Sequence, residues 1–417
     1  MECFVRVIAV VIFNLLVGVK GQGQVNVQGV DNAEQFALLC RIYDVAKNPP
    51  IHHVDSQDPL MIVSEIDALN ASFAYEKHIN ETENVGNSSD AQVKPTITRE
   101  AAVAQAILSR ITKKANAILR EIIKVNTTRD IEKVKADFAQ VIFGEGGNES
   151  DLDKSTLSAV KGRAEACGNS ELSNKGDSAG ENIVVDFFCL CTQRTNNAEG
   201  IDNVCGVQVG GKSKGDYHGW SDAAPSGSAS MWASMKKGCG NLLHQPHKFI
   251  EESYEVVEDF LKHLKTGGVY RWGSGKDSDR KPGMLGTGVG SNSGNGKSPV
   301  CDGKKGGRGQ QPPSGVCVYY GTESEWETNI PWLKQLKTAL DNLAILNNQI
   351  ATIQRDIEKL HMLLHRAEEI YETANVITEI QRPIVPPNLQ SAAKRLTAYS
   401  AARRYHPYHF ILLWVLL

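Results

Sequence analysis

The stretch WLKQLKTALDNLAILNNQIATIQRDIEKLHMLLHRAEEIYETANVITEIQR, from Trp332 to Arg382, decides the fold. Within it Leu333, Leu336, Leu340, Leu343, Leu346, Ile350, Ile353, Ile357, Leu360, Leu364, Ala367, Ile370, Ala374 and Ile377 recur at steps of three or four, which puts them on one face of a helix. The opposite face carries Lys334, Asp341, Asn348, Arg355, Glu358 and Glu368, and no Pro or Gly interrupts before Pro383. At 1.5 Å per residue, about 50 residues make a rod of roughly 75 Å. A rod of that length needs a helical partner along most of it.

Upstream, the stripe Val103, Ile107, Ile111, Ala115, Ile118, Ile122 and Val125 predicts a second long helix, capped by Thr98 and opened by Glu100 and Ala101. The pattern resumes after Asn126 with Ile131, Val134, Phe138 and Val141, and stops at Gly144. Packing these against the C-terminal rod as an antiparallel hairpin gives a mainly α, elongated helical bundle. Two shorter helices are expected before it. One spans Asp31 to Lys47, with Asp31 as cap, Glu34 completing a capping box, and Asn48-Pro49-Pro50 as the stop. The other runs from Pro59 to about Lys77, with Ile62, Ile66, Leu69 and Phe73 inward.

Between the rods, Glu145 to Glu325 changes character. Helical periodicity is confined to roughly Pro246 to Lys265, and Ile183 to Leu190 reads as a short strand leading into Cys189-Leu-Cys191. Fifteen glycines fall between Gly267 and Gly315, about four times the average density. Such composition predicts exposed, partly mobile loops on a disulfide-stapled lobe, tethered at the far end by Cys301 and Cys317. The aromatics Trp220, Trp232, Trp272 and Trp326 are assigned to the core of that lobe.

The apolar fraction of 41% suffices for a core, and a net charge of -3 gives no reason to expect a nucleic-acid partner. Of nine cysteines, Cys3 lies in the leading segment, which leaves Cys40, Cys167, Cys189, Cys191, Cys205, Cys239, Cys301 and Cys317. An even set behind a secretion signal reads as four disulfides, with the pairing left open. Both ends read as addresses. Arg6 precedes an apolar run from Val7 to Val17, followed by small residues near Gly21 or Gly23, so residues 1–21 are expected to be a signal peptide. Phe410 to Leu417 is apolar, Arg403 to His409 is a polar spacer, and Ser400-Ala401-Ala402 is a small triplet. That arrangement is a glycolipid-anchor signal, with attachment at Ser400 favoured over the second triplet beginning at Ser391. Residues 22–382 then form the helical domain, 383–400 a short stalk and 401–417 the removed anchor signal. Five Asn-X-Ser/Thr sequons, at Asn70, Asn80, Asn87, Asn126 and Asn148, imply N-glycans on an exposed surface.

Catalytic patterns are weak. Ser291 to Ser298 nearly matches a phosphate-binding loop, but Ser291 stands where the first glycine belongs. His361 and His365 lie one turn apart, with Met362 where a metallohydrolase helix carries its glutamate, and are assigned to solvent or an interface. His244, His247, Asp186 and Ser234 occupy no nucleophile motif. No enzyme activity, cofactor, metal or small-molecule substrate is expected.

Phe36-Ala-Leu-Leu-Cys40-Arg-Ile-Tyr43, Phe188-Cys189-Leu-Cys191, and Cys317-Val-Tyr-Tyr320 leading to Ile330-Pro-Trp332-Leu-Lys-Gln-Leu336 resemble, in that order, trypanosome variant surface glycoproteins. The chain looks more like the class B than the class A N-terminal domain. No cysteine follows Cys317, where the best-known members have a cysteine-rich C-terminal domain, and this fits the short-tailed branch. The resemblance implies a homodimer anchored by glycosylphosphatidylinositol (GPI) in the outer leaflet of the plasma membrane. It further implies packing into a coat that meets host antibodies and is replaced by switching expression. The same scaffold also allows a GPI-anchored nutrient receptor of the transferrin- or haemoglobin-uptake type.

Overall fold

A computed structural model describes residues 26–54, 58–82, 99–169, 172, 174–195, 199–213, 216–243, 247–272, 277–290, 299–306 and 314–381. In chain order the elements are α1 (Ala33–Lys47), α2 (Pro59–Thr82), α3 (Arg99–Lys124), α4 (Thr127–Phe143), α5 (Arg163–Cys167), α6 (Ile183–Cys191), β1 (Gly211–Ser213), β2 (Asp216–His218), α7 (Ser228–Leu242), α8 (Ile250–Thr266), β3 (Gly268–Trp272), β4 (Asp277–Lys281), β5 (Met284–Val289), β6 (Ser314–Tyr319), α9 (Trp326–Asn329) and α10 (Pro331–Gln381). The fold is mainly α, and the long C-terminal helix falls where its apolar stripe puts it. The chain divides into two compact units, residues 1–54 with 125–352 and residues 55–124 with 353–417.

The second unit collects α2, α3 and residues 353–381 of α10. Asp67, early in α2, accepts a hydrogen bond from Asn116 Nδ2, late in α3 (3.1 Å), as an antiparallel pair requires. Buried along α10 are Ile353, Ile357, Leu360, Leu364, Ala367 and Ala374, whereas Ile370 and Ile377 are half-buried. On α3 the buried row is Ala104, Leu108, Ile111, Ala115, Leu119 and Ile122. This row lies about one position round from the expected stripe, and Val103 is 52% exposed. Both rows are apolar and share Ile111, Ala115 and Ile122, so only packing separates them. Thr98, the expected cap, lies outside the described residues.

The first unit holds the lobe, and here several expectations are overturned. Ile183–Cys191 is a helix rather than a strand, capped by Asn182, whose side-chain oxygen accepts from Val185 N (2.9 Å). All nine of its residues are buried. A segment enclosed on every side shows no apolar period, so helix and strand look alike in sequence. Within the glycine-rich region, β3, β4 and β5 join β6 in a four-stranded sheet of order β4-β3-β5-β6, antiparallel except for the parallel β3–β5 pair, while 273–276, 291–298 and 307–313 lie outside the described residues. Its glycines serve close backbone approach. A Cβ at Gly286 (φ +92°) would sit 2.5 Å from Val316 O and 2.8 Å from Leu190 Cδ2, and one at Gly315 would sit 2.8 Å from Gly288 Cα. β5 and β6 are buried along their whole length.

All eight cysteines among the described residues pair: Cys40–Cys239, Cys167–Cys189, Cys191–Cys205 and Cys301–Cys317. The first joins α1 to α7, a helix with little apolar periodicity to announce it. Around it Phe36, Tyr43, Phe187 and Trp232 pack edge to face, with ring centroids 5.4–6.5 Å apart, an arrangement favoured by the ring quadrupoles. The expected capping box on α1 is absent. Asp31 instead accepts from Gln28 N and pairs with Arg271 (2.6 Å). Asn32 donates to Leu190 O and Val316 O (2.9 and 2.8 Å), tying α1 to α6 and β6.

Asp186, fully buried on α6, gathers three donors. They are Gly180 N (2.9 Å), Tyr320 Oη (2.9 Å) and Trp332 Nε1 (2.6 Å). Burial raises its pKa to about 7, against the opposing pull of those three donors and of Lys175. A second polar feature is the seam between α1 and α8, where Glu34 meets His263 (3.0 Å) and Arg41 meets Asp259 (2.7 Å). The hydrogen bond that His263 donates to Glu34 lowers the pKa of Glu34 against burial, and the same bond raises the pKa of His263 against burial.

Two outcomes follow. Asp186→Ala strands three buried donors, each costing about 1–3 kcal/mol, so urea unfolding with the disulfides intact should give a loss of at least about 3 kcal/mol. Because Asp186 binds its proton more tightly when folded, its own contribution is complete below its ordinary value of 3.8 and is lost as pH rises to about 7. Asp186→Asn should remove that slope. For the seam, the His263 contribution is complete below its ordinary value of 6.5 and is lost as pH rises through the folded value. The Glu34 contribution is complete above its ordinary value of 4.5 and is lost as pH falls through the folded value. His263→Gln should therefore lower the melting temperature more near pH 5.5 than at alkaline pH. Its effect should stay below about 1 kcal/mol, because both side chains are solvent-screened.

Candidate functional site

The polar chemistry of the first unit centres on two buried arginines. Arg163 on α5 donates to Thr192 O (2.6 Å) and Cys189 O (2.8 Å), at the C-terminal end of α6, and its guanidinium lies 5.9 Å from the Trp220 ring centroid. A cation there also complements the α6 dipole. Burial pulls its pKa down to about 9, with Asp302 opposing and Arg194 adding to the shift, so it stays charged at neutral pH. Gly303 (φ +81°) makes room for it, since a Cβ would lie 2.5 Å from Arg163 Nη1. Arg194 donates to Asp302 O (2.5 Å) and pairs with Asp222 (3.2 Å) and Glu199 (3.1 Å). Burial also raises the pKa of Asp302, opposed by the Lys304 and Gly315 amides and by nearby cations. These groups fasten loops to helix ends.

The residues singled out in the sequence separate into different environments. His247 faces Asp44 (3.9 Å) and Glu252 (3.7 Å), Ser234 Oγ donates to Ser230 O, and Asp186 is enclosed with Trp332 and Tyr320. His244 and the stretch 291–298 lie outside the described residues. His365 pairs with Glu368 (3.3 Å) on α10, and His361 is half-buried. Among the described residues no three His, Cys, Asp or Glu side chains form a metal-binding group. Trp220, Trp232 and Trp326 are core, as expected, whereas Trp272 is half-buried and stacks on Tyr270 (5.0 Å).

Of the five sequons, Asn126 and Asn148 are exposed and Asn70 is half-buried on α2. Asn126 caps α4 by accepting from Arg129 N (3.1 Å), and Asn148 accepts from Asp151 N (3.0 Å) and Ser150 Oγ (2.7 Å). Both use the carbonyl oxygen, which leaves the amide nitrogen that carries a glycan out of these bonds. The side chain of Asn80, the residue Asn87 and the anchor candidates Ser391 and Ser400 lie outside the described residues. No helix among the described residues is long and apolar enough to cross a membrane.

Two concavities lined by described residues lie in the first unit. The larger, 460 Å³, is lined by Gln208, His218, Ser230, Ser234, Lys237 and Asn241 among others. His218 Nδ1 lies 3.0 Å from Ser230 Oγ, but among the described residues no carboxylate holds the other ring nitrogen, as a nucleophile–base pair needs. The smaller, 210 Å³, lies against the α1–α8 seam. Sequence reasoning missed both, because their walls come from segments far apart in the chain.

Comparison with known proteins bears on these features. The variant surface glycoprotein YnAT 1.3 of Trypanosoma congolense is 24% identical over 248 residues, covering 58% of this chain and 55% of that protein. The aligned region thus spans about half the length of that relative. A family model described as the trypanosomal VSG domain matches residues 15–101 and 89–362, well over half of the 417 residues. With its long helices and four disulfides, this chain belongs to the trypanosomal VSG domain family.

Proposed function

We propose that this protein is a GPI-anchored variant coat glycoprotein that shields the plasma membrane of its cell and is exchanged in antigenic variation. The family match over residues 15–362 is the observation that carries this reading. The physical demands of a coat agree with it. A long helix gives height for little membrane area, as the 51-residue α10 does. Disulfides hold the lobe while its loops vary in sequence. Ser400 is the proposed attachment site, after removal of residues 1–21 and 401–417. The mature chain is a homodimer through its helices, with N-glycans at Asn126 and Asn148. A nutrient receptor on the same scaffold is the second reading, and the two polar cavities favour it.

Phospholipase C should release the protein from intact cells, with mass spectrometry placing the lipid on Ser400. Retention of Phe410 to Leu417 would overturn the anchor. Millions of copies per cell, with a dimer in light scattering, fit a coat. A few hundred copies that retain a soluble ligand on pull-down fit the receptor. Thr128→Ala and Ser150→Ala should each remove one glycan's mass while leaving the Asn126 cap and the Asn148 amide in place.

A further inference from the structure

Two histidines lie on the seam between α1 and α8, one at each end. The two helices run antiparallel, since Glu34 meets His263, Arg41 meets Asp259 and Asp44 meets His247 in that order. Glu34 is in the first turn of α1 and His263 in the last turn of α8, so each charge complements the dipole of its own helix. At the other end the signs are reversed. Asp44 is in the last turn of α1, and His247 immediately precedes α8, so neither helix end helps the charges that pair there.

His247 stands between two carboxylates. Its Nε2 is 3.9 Å from Asp44 Oδ2, and its Nδ1 is 3.7 Å from Glu252 Oε2. The His247 side chain is 17% exposed and that of Asp44 12%, so solvent screens this pair far less than a surface one. Asp44 Oδ1 accepts from Asn48 Nδ2 (2.8 Å), whereas Oδ2 is buried with no hydrogen-bond partner. Glu252 Oε2 also accepts from Lys248 N (3.0 Å). A neutral imidazole has one N–H and serves one carboxylate at most; a protonated ring has two donors and a charge, which match both. The charged groups of the neighbouring elements are engaged elsewhere. Arg41 holds Asp259, Lys47 lies over the Tyr43 ring, Lys236 of α7 holds Glu149, and Asp341 of α10 accepts from Tyr254. Lys248, Glu251, His52 and His53 are exposed. Among the described residues no other side chain pairs with Asp44 Oδ2.

We propose that His247 is an acid latch for the N-terminal end of α8. Its protonated ring bridges Asp44 and Glu252, and its neutral ring leaves the two carboxylates facing each other and that end of α8 loosened from α1. Loss of the proton exchanges two attractive pairs for one repulsive pair. The stabilising contribution is therefore present in acid and lost as pH rises. The His263 tie fastens the opposite end and acts separately.

Amide hydrogen exchange of the full chain, corrected for intrinsic rates, tests the latch. Protection of the peptide from Ile250 to Glu258 should fall about tenfold between about pH 5.5 and about pH 8, on either side of the ordinary imidazole range. His247→Gln, neutral throughout, should keep this peptide at its alkaline level of protection under both conditions. His263→Gln should leave the response of this peptide in place. Asp44→Asn has the distinguishing sign, because it removes the bridge in acid and the repulsion in alkali. Protection should fall in acid and rise in alkali. Equal protection of the wild-type peptide at both pH values, a response that survives His247→Gln, or one that disappears only in His263→Gln would overturn the proposal.

Discussion

The carboxylate of Asp186 constrains this fold more than any other single group. It sits at the convergence of α6, the turn at Gly180, the segment after β6 and the start of α10, and takes a hydrogen bond from each of the last three. Trp332 N also donates to Gly180 O (3.2 Å). Gly180 has φ +79°, and a Cβ there would come within 2.6 Å of Asn329 O. The first turn of α10 therefore has one position in which its tryptophan reaches the acid, and Leu333, Leu336, Leu340 and Leu343 enter the core behind it. The long helix takes its register from this point.

Around that point the first unit gathers an aliphatic and aromatic core held by several kinds of tie. α6 contributes nine buried residues, two disulfides and the carbonyls that receive Arg163. Glycines let β5 and β6 lie close to each other and to α6. Three disulfides span 14 to 22 residues and one spans 199. The short ones fix loops near their own helix or strand, while Cys40–Cys239 joins α1 to α7 across the sequence. Buried charge is arranged so that each cation meets carbonyls or carboxylates, as desolvation demands.

The periodic parts of this architecture were legible in the sequence, and the enclosed parts were not. α10 and α4 declare themselves because each has one dry face and one wet face. α6 is dry on all sides, so its period vanishes. The sheet was hidden by its own glycines, which by composition signal disorder and in this packing signal backbones in contact. Asp31 and Glu34 fit a local cap rule, but Arg271 and His263, about 230–240 residues away, take them instead. An even cysteine count gave four bridges without their partners, and those required the fold. The cavity on the α1–α8 seam had no sequence signature, since its walls come from α1, α8, β3, β4 and β5.

The sheet order leaves β4 at one edge, and its sequence is Asp-Ser-Asp-Arg-Lys. An open strand is a template for joining the sheet of a neighbouring molecule, and charges along it are what discourage such joining. Crowding of identical molecules on one surface would turn any apolar open strand into a route to fibrils. Every one of these five side chains is polar, so this edge does not invite such joining. In a coat of the kind proposed, where identical molecules stand at high density, such a strand stays unattractive to its neighbours.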